Sequence, residues 1–366
     1  MANIHWKRIV VKVGSALIAP HKQGCSSHYL LGIAQFIANC RAQGIQVVLV
    51  SSGSVAAGWH RLGDVKQPSV SQKKAMAAAG QADMMATWDK LFDFPSAQLL
   101  VTHGDLRDRE RYISIKNTLF SLLDHDLLPI VNENDAVTTD RLRVGDNDNL
   151  SAMVAAAADA DALIICSDVN GLYTKNPQLH EDAKLIKQVN EINESVYAMA
   201  GGATSEVGTG GMRTKIEAAE KAIAHGIETV IINGFDPDAF NRLLKGQNPG
   251  TLFTPFDQPM QEHVHWMTHT SQAQGEVIVE DNFDAPLDDQ ETQLTSDDVV
   301  AVKGNFSVGD TVLVRKGDGT KLAKAQANYS SCLLNFIAKQ EDRAFAHDVE
   351  QQTGPILSDE NIAILE

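Results

Sequence analysis

The sequence predicts an α/β protein: a mostly parallel sheet sandwiched between helices, followed by a small β-rich C-terminal domain. Three observations predict it. From Arg8 to about Thr254, short β-branched runs alternate with helical stretches, as in strands joined by crossover helices. Those runs are continuously apolar rather than alternating, which marks strands buried on both faces. Beyond about Gln274 the pattern changes to short alternating runs separated by Gly and Asp turns. At 366 residues the chain is long enough for two domains.

Taken in order, "RIVVKVGS" reads as a buried strand running into Gly14. Helical periodicity covers about Tyr29 to Gln43, and Gly44 stops it before the strand "IQVVLVSSG". Two helical segments follow, the second being "SQKKAMAAAGQADMMATWDKLF". Then come the strand "AQLLVT", a helix from about Arg109 to Asp124 with "RDRER" as its charged start, and the strand "LLPIVNEN". The stretch "RVGDNDNLSA", Arg143 to Ala152, opens an alanine-rich helix that Asp148 or Asn149 is expected to cap. Strand "DALIICSD", helix "MRTKIEAAEKAIAHG" and strand "ETVIIN" complete the series. Pro, Gln and His accumulate between about Asp257 and Gln274, and "GEVIVED", "VVAVKG" and "DTVLVRK" follow as strands. The expected organisation is therefore a first domain over 1–257, a linker over 258–274, a β-rich domain over 275–353 and a tail over 354–366.

The charge balance, 31 basic against 47 acidic residues, leaves −16 and argues against non-specific binding to nucleic acid or an anionic membrane. Cys25, Cys40, Cys166 and Cys332 form no C-x-x-C pair, and read as reduced thiols of a cytosolic protein. No run approaches the roughly 18 apolar residues a membrane span needs, and no cleavage site follows the N-terminal apolar run. A cytoplasmic protein without an anchor is expected.

The polar clusters "KVGSA", "SSGS", "NENDA", "GDNDN", "SDVNGLY" and "GTGGMRTK" all follow strands or precede helices. In an open parallel sheet the ligand sits beyond the carboxyl ends of the strands, so these clusters converge on one edge. "GTGGMRTK", Gly208 to Lys215, is a glycine-rich loop feeding a helix N-terminus, where free N–H groups and the dipole favour an anion. A plain turn before a helix is the competing reading. Lys215 in the first turn opposes the dipole and favours the anion. It is not a Walker P-loop, because no G-x-x-x-x-G-K-[ST] pattern occurs. Lys12 lies inside an apolar strand, where a lysine is costly unless paired or functional. Capping explains one polar residue of "GDNDN" but not Asp146 and Asn147 together with "NEND". Two acidic–amide clusters at one sheet edge suit recognition of an ammonium group and positioning of lysines. Their carboxylates could also meet Mg²⁺ through waters, and a direct protein-held metal site is not expected. His263, His265 and His269 contain an H-x-H spacing that can ligate zinc, but in this segment after the first domain they are read as ordinary.

In order and spacing, "VVKVGSA", "VSSGSVAAG", "VNENDAV", "VGDNDNLSA", "SDVNGLYT" and "GTGGMRTK" resemble the glutamate 5-kinase family, which has the amino acid kinase fold. The resemblance runs from about Arg8 to Phe253, and "VKGNFSVGD" resembles that family's C-terminal PUA domain. It implies ATP-dependent phosphorylation of the γ-carboxylate of L-glutamate, the first step towards proline, with Mg²⁺ accompanying ATP. By position it implies that Lys12 and Lys215 contact the transferring phosphoryl group and that Asp148 organises them. Ser52, Gly53, Asp135 and Asn147 would bind glutamate. Lys12, Gly14, Ser167, Asp168 and the loop Thr209, Gly210, Gly211, Met212, Arg213, Thr214 and Lys215 would line the ATP site. Ser54 stands where alanine is common, a change expected to be harmless. The acidic "TQLTSDDVVAV" replaces a run typical of the PUA domain, so RNA contact is not expected.

The resemblance also implies feedback inhibition by L-proline, a homo-oligomer and association with glutamyl 5-phosphate reductase. The chemistry agrees: a carboxylate with an ordinary pKa is deprotonated at pH 7, so its phosphorylation needs no general base. The rival readings are another carboxylate kinase of the same fold, of the aspartokinase or acetylglutamate kinase type, and an RNA-binding regulator acting through the C-terminal domain.

Overall fold

The computed structural model describes residues 5–21, 23–63, 65–138, 147–200, 211–284, 287, 294–339 and 354–365. The chain divides into two units, Met1–Pro259 and Met260–Glu366. Within the first, the apolar run Arg8–Val13 forms β1, which Ser15–Ile18 (α1) and Leu30–Ala42 (α2) follow. Gln46–Ser51 is β2, Ser54–Gly58 α3 and Val70–Asp89 α4. Ser96–Val101 is β3, His103–Arg107 α5, Arg109–Asp124 α6 and Leu128–Glu133 β4. Asn147–Ala157 is α7, Ala162–Ser167 β5, Gln188–Val189 β6 and Glu194–Met199 α8. Met212–Ala224 is α9, Glu228–Asn233 β7, Pro237–Leu244 α10 and Thr251–Phe253 β8.

The sheet runs β3-β4-β2-β1-β5-β7-β8-β6. Every pair is parallel except β7 with β8. β1 therefore lies mid-sheet, and Val10, Val11, Val48, Leu49, Ile164 and Ile165 are all fully buried, as their unbroken apolar runs predict. The expected strands and helices form. The short β6 and β8 are additions, too brief to leave a pattern in sequence. Capping sets several helix starts: Ser69 and Gln72 form a reciprocal capping box at α4, and Asp108 accepts from the Arg111 N–H at α6. α3 and α4 cross with their backbones in contact, and a Cβ on Gly58 or Gly80 would collide with the other helix's main chain. That crossing seats the start of α3 at the carboxyl edge of the sheet.

The second unit begins with Glu262–His265 (α11), which runs on into a π-turn over Trp266–Thr270. Gly275–Val279 is β9, Val299–Gly304 β10, Thr311–Lys316 β11, Lys321–Ala327 β12, Ser331–Ala338 α12 and Leu357–Ile364 β13. The sheet runs β10-β9-β11-β12-β13 over a core that includes Val277, Val312, Val314 and Tyr329. Two expectations of the sequence differ here. Residues read as linker are structured: the Lys324 ammonium on β12 donates to the carbonyls of Met267, Thr268 and Ser271, at 3.0, 3.2 and 2.8 Å. Residues read as tail supply β13, which pairs antiparallel with β12. No helix among the described residues is long and apolar enough to cross a membrane.

Candidate active site

Lys12 is the fifth residue of β1, flanked by Val50 of β2 and Ile165 of β5, and it is 6% exposed. Its ammonium donates to Asp148 Oδ1 at 2.5 Å. The other oxygen, Oδ2, accepts from Lys215 Nζ at 3.1 Å and from the Thr214 hydroxyl at 2.7 Å. Three charged side chains from β1, α7 and α9 thus meet in a buried cluster. Burial alone would raise the Asp148 carboxyl, but Lys12 and Lys215 hold it well below the usual carboxylate range. Lys12 is lowered by burial and by Lys215, while Asp148 opposes the shift. Among the described residues, two ammonium groups against one carboxylate leave this cluster with a surplus positive charge. That surplus can attract a phosphoryl group.

Asp148 therefore does not cap α7, as capping would have it. The helix already begins at Asn147, and the carboxylate is turned to the lysines instead. Asn149 accepts from Lys221 Nζ at 2.6 Å. Asp146 lies outside the described residues, as do Thr209 and Gly210 of the glycine loop. Of that loop's described part, Gly211 precedes α9 in extended conformation with nothing near its Cα that a methyl would meet. Met212 is half-buried, and the exposed Arg213 has its Nε 3.2 Å from Glu217 and its guanidinium facing the Tyr197 ring. Thr214 and Lys215 are the loop's contributions to the cluster.

A second group of polar side chains surrounds Ser52 and Asn147. Gly53 joins β2 to α3 at φ +101°, and a Cβ there would lie 2.9 Å from Ile18, so both conformation and packing require glycine. The Asn147 amide donates to Ser52 Oγ at 2.9 Å and to Asn132 Oδ1 at 3.0 Å. Its own buried oxygen has no hydrogen-bond partner among the described residues. Asn132 in turn donates to Gln81 Oε1 at 2.8 Å. Asp135, 5% exposed, accepts from Ser54 Oγ at 2.9 Å through Oδ2, while Oδ1 is buried without a partner among the described residues. Burial and the neighbouring Glu133 push its carboxyl up to about 6. The Ser54 hydroxyl thus touches a site residue directly, which its reading as a harmless change did not anticipate.

At the end of β5, Ser167 is buried and its hydroxyl donates to Asp168 Oδ1 at 3.1 Å, with Asp168 exposed. Gly14 has ordinary backbone angles, and a Cβ would sit 3.5 Å from the Cys166 carbonyl, so packing does not demand glycine there. Sequence reasoning missed Glu133, His103, Asn132 and Gln81. The first and third lay within the quoted "NEND", but nothing local distinguished them from their neighbours.

Residues 7–233 match the amino acid kinase family and residues 276–346 the PUA domain. Glutamate 5-kinase 1 of Pseudoalteromonas translucida (strain TAC 125) is 63% identical over 366 residues, covering 100% of both chains. Glutamate 5-kinase of Idiomarina loihiensis (strain ATCC BAA-735 / DSM 15497 / L2-TR) is 54% identical over 93% of this chain and 92% of its own. That of Salinibacter ruber (strain DSM 13855 / M31) is 45% identical, covering 94% of each.

Proposed function

The chain belongs to the glutamate 5-kinase family, and from that premise we infer that it transfers the γ-phosphoryl group of ATP to the γ-carboxylate of L-glutamate. The product is L-glutamyl 5-phosphate, on the route to proline. The observation that carries the reading within the site is the Lys12–Asp148–Lys215 bridge at the carboxyl edge of the sheet. A carboxylate nucleophile needs no base. What it needs is relief from its repulsion by ATP, and the lysines supply that by neutralising charge in the transition state. Asp148 keeps the two ammonium groups at fixed positions. Mg²⁺ bound to the ATP phosphates would spread their charge. Both oxygens of Asp148 are already taken by Lys12, Lys215 and Thr214, so this carboxylate is not the group to hold it. ADP release measured with glutamate, aspartate and N-acetylglutamate tests the assignment. Turnover of aspartate or N-acetylglutamate in preference to glutamate would transfer it to a sibling kinase.

Ser52, Gly53, Asp135 and Asn147 form the amino-acid end of the site in this reading. The unpartnered oxygens of Asp135 and Asn147 are acceptors, which suits an ammonium donor. Gly14, Ser167, Asp168 and the stretch Thr209 to Lys215 belong to the ATP end. Asp135→Asn should raise the glutamate KM at least about tenfold, the equivalent of one charge-assisted hydrogen bond. The same change should stabilise the protein. A carboxyl raised from 3.8 to about 6 on folding favours the protonated form, so its contribution is full below 3.8 and lost as pH rises through about 6. The asparagine variant should accordingly gain about 1–2 kcal/mol at pH 8 and little at pH 4. Melting curves at the two pH values check this, and equal effects at both would contradict it.

Inhibition by L-proline belongs to the same reading, since proline keeps the α-carboxylate and amine but lacks the γ-carboxylate. Raising glutamate should relieve it, and ATP should matter little. Purely non-competitive inhibition in initial-rate plots would place the proline site elsewhere. The chain is further read as a cytoplasmic homo-oligomer. The lability of an acyl phosphate favours hand-over to glutamyl 5-phosphate reductase.

A further inference from the structure

Beyond β4, a buried group of titratable side chains lies outside the roles assigned above. Glu133 is the last residue of β4 and only 2% exposed. It sits opposite Val101 in the parallel β3–β4 pair, and the chain passes from Val101 through the cap Thr102 to His103 at the start of α5. This register brings His103, itself buried, against Glu133, with Nδ1 3.3 Å from Oε1. Among the described residues the second oxygen, Glu133 Oε2, is buried without a partner, as is Oδ1 of Asp135 two residues on.

We propose that Glu133 and His103 are positioning residues for Asp135, forming a buried carboxylate–imidazole pair that sets the charge Asp135 presents to the amino group of glutamate. The inference rests on the assignment of Asp135 to the amino-acid end of the site. Its physical basis is the neighbourhood of Asp135. Burial raises its carboxyl first, the like charge of Glu133, two positions before it at the end of β4, raises it further, and His103 of α5 lowers it. α3 offers only the uncharged hydroxyl of Ser54. The other acid of α5, Asp105, is committed to Thr102 and Arg111. Among the described residues, burial beside the like charge of Glu133 makes the ionised form of Asp135 costly. A proton is therefore held near Asp135 until the pH rises or an ammonium group arrives. Glutamate supplies that ammonium, and its capture should weaken as the medium becomes acid.

The test is kcat/KM for glutamate from pH 5.5 to 8 in the wild-type chain, Glu133→Gln, His103→Gln and Asp135→Asn. Ionisation of ATP is common to all four and cancels in the comparison. In the wild type, kcat/KM should fall through an inflection near the raised carboxyl. Glu133→Gln keeps the shape but removes the like charge. Its ratio to wild type at pH 5.5 should exceed the ratio at pH 8 by at least about threefold. His103→Gln should shift the ratio the opposite way, by a smaller factor. Uniform losses at every pH in both variants would mean packing roles only and would overturn the inference. If Glu133→Gln fails to fold, the His103→Gln shift alone decides. If Asp135→Asn leaves both the glutamate KM and the inflection untouched, the fault lies with the Asp135 assignment itself, and this inference falls with it.

Discussion

Asp148→Asn is expected to lower kcat on the order of a thousandfold, about 4 kcal/mol of transition-state stabilisation. The change keeps the shape of the side chain and removes the one negative charge between two buried ammonium groups. Lys12 and Lys215 would then repel each other in a site with little water to screen them. Removing one partner of a buried ion pair commonly costs about 3–5 kcal/mol, because the remaining charge is left uncompensated. Part of that cost will appear as lost stability. Part can be avoided if Lys12, already lowered by burial, gives up its proton. Either outcome spoils the charge that faces the phosphoryl group. Stability should suffer most where Asp148 is ionised in the wild type. Its folded carboxyl lies below the ordinary value, so its contribution is present at neutral pH and lost as pH falls through the folded value. The melting-temperature gap between variant and wild type should therefore narrow in acid. A variant that keeps more than a tenth of wild-type kcat and loses only stability would reduce Asp148 to a structural ion-pair partner.

Lys215→Met should lower kcat at least about a hundredfold, since one such charge contact to a transition state contributes roughly 3 kcal/mol. Its effect on stability should be much smaller than that of Asp148→Asn. The carboxylate would still be paired with Lys12 at 2.5 Å and would still accept from Thr214. Methionine fills the space of the lysine stem on α9 without a charge to bury. Glutamate KM should change little, because the lysine faces phosphate rather than the amino acid. The comparison of kcat, glutamate KM and melting temperature in one variant separates the roles. Retention of more than a tenth of wild-type kcat would remove Lys215 from the reacting set.

By itself the sequence determined the order of the main strands and helices, because burial on both faces writes continuous apolar runs and capping writes itself within a few residues. It also located the polar turns that end up on one edge, since in a parallel sheet each strand delivers its carboxyl end to the same side. The cost of a lysine inside β1 was legible for the same reason. What covered that lysine was not.

Lys12 and Asp148 are 136 positions apart, and Ser54 and Asp135 are 81 apart. No local pattern links such pairs, and only the crossover path brings them within hydrogen-bond reach. The same holds for His103, which meets Glu133 because β3 pairs with β4 in one register rather than another. It holds for β13, whose residues leave no strand signal strong enough to be read until β12 offers them an edge to pair with. Local composition settles which residues are buried and where the chain turns. Which charges then face one another is decided by strand order and register, because Coulomb and hydrogen-bond energies depend on distance in space and not along the chain.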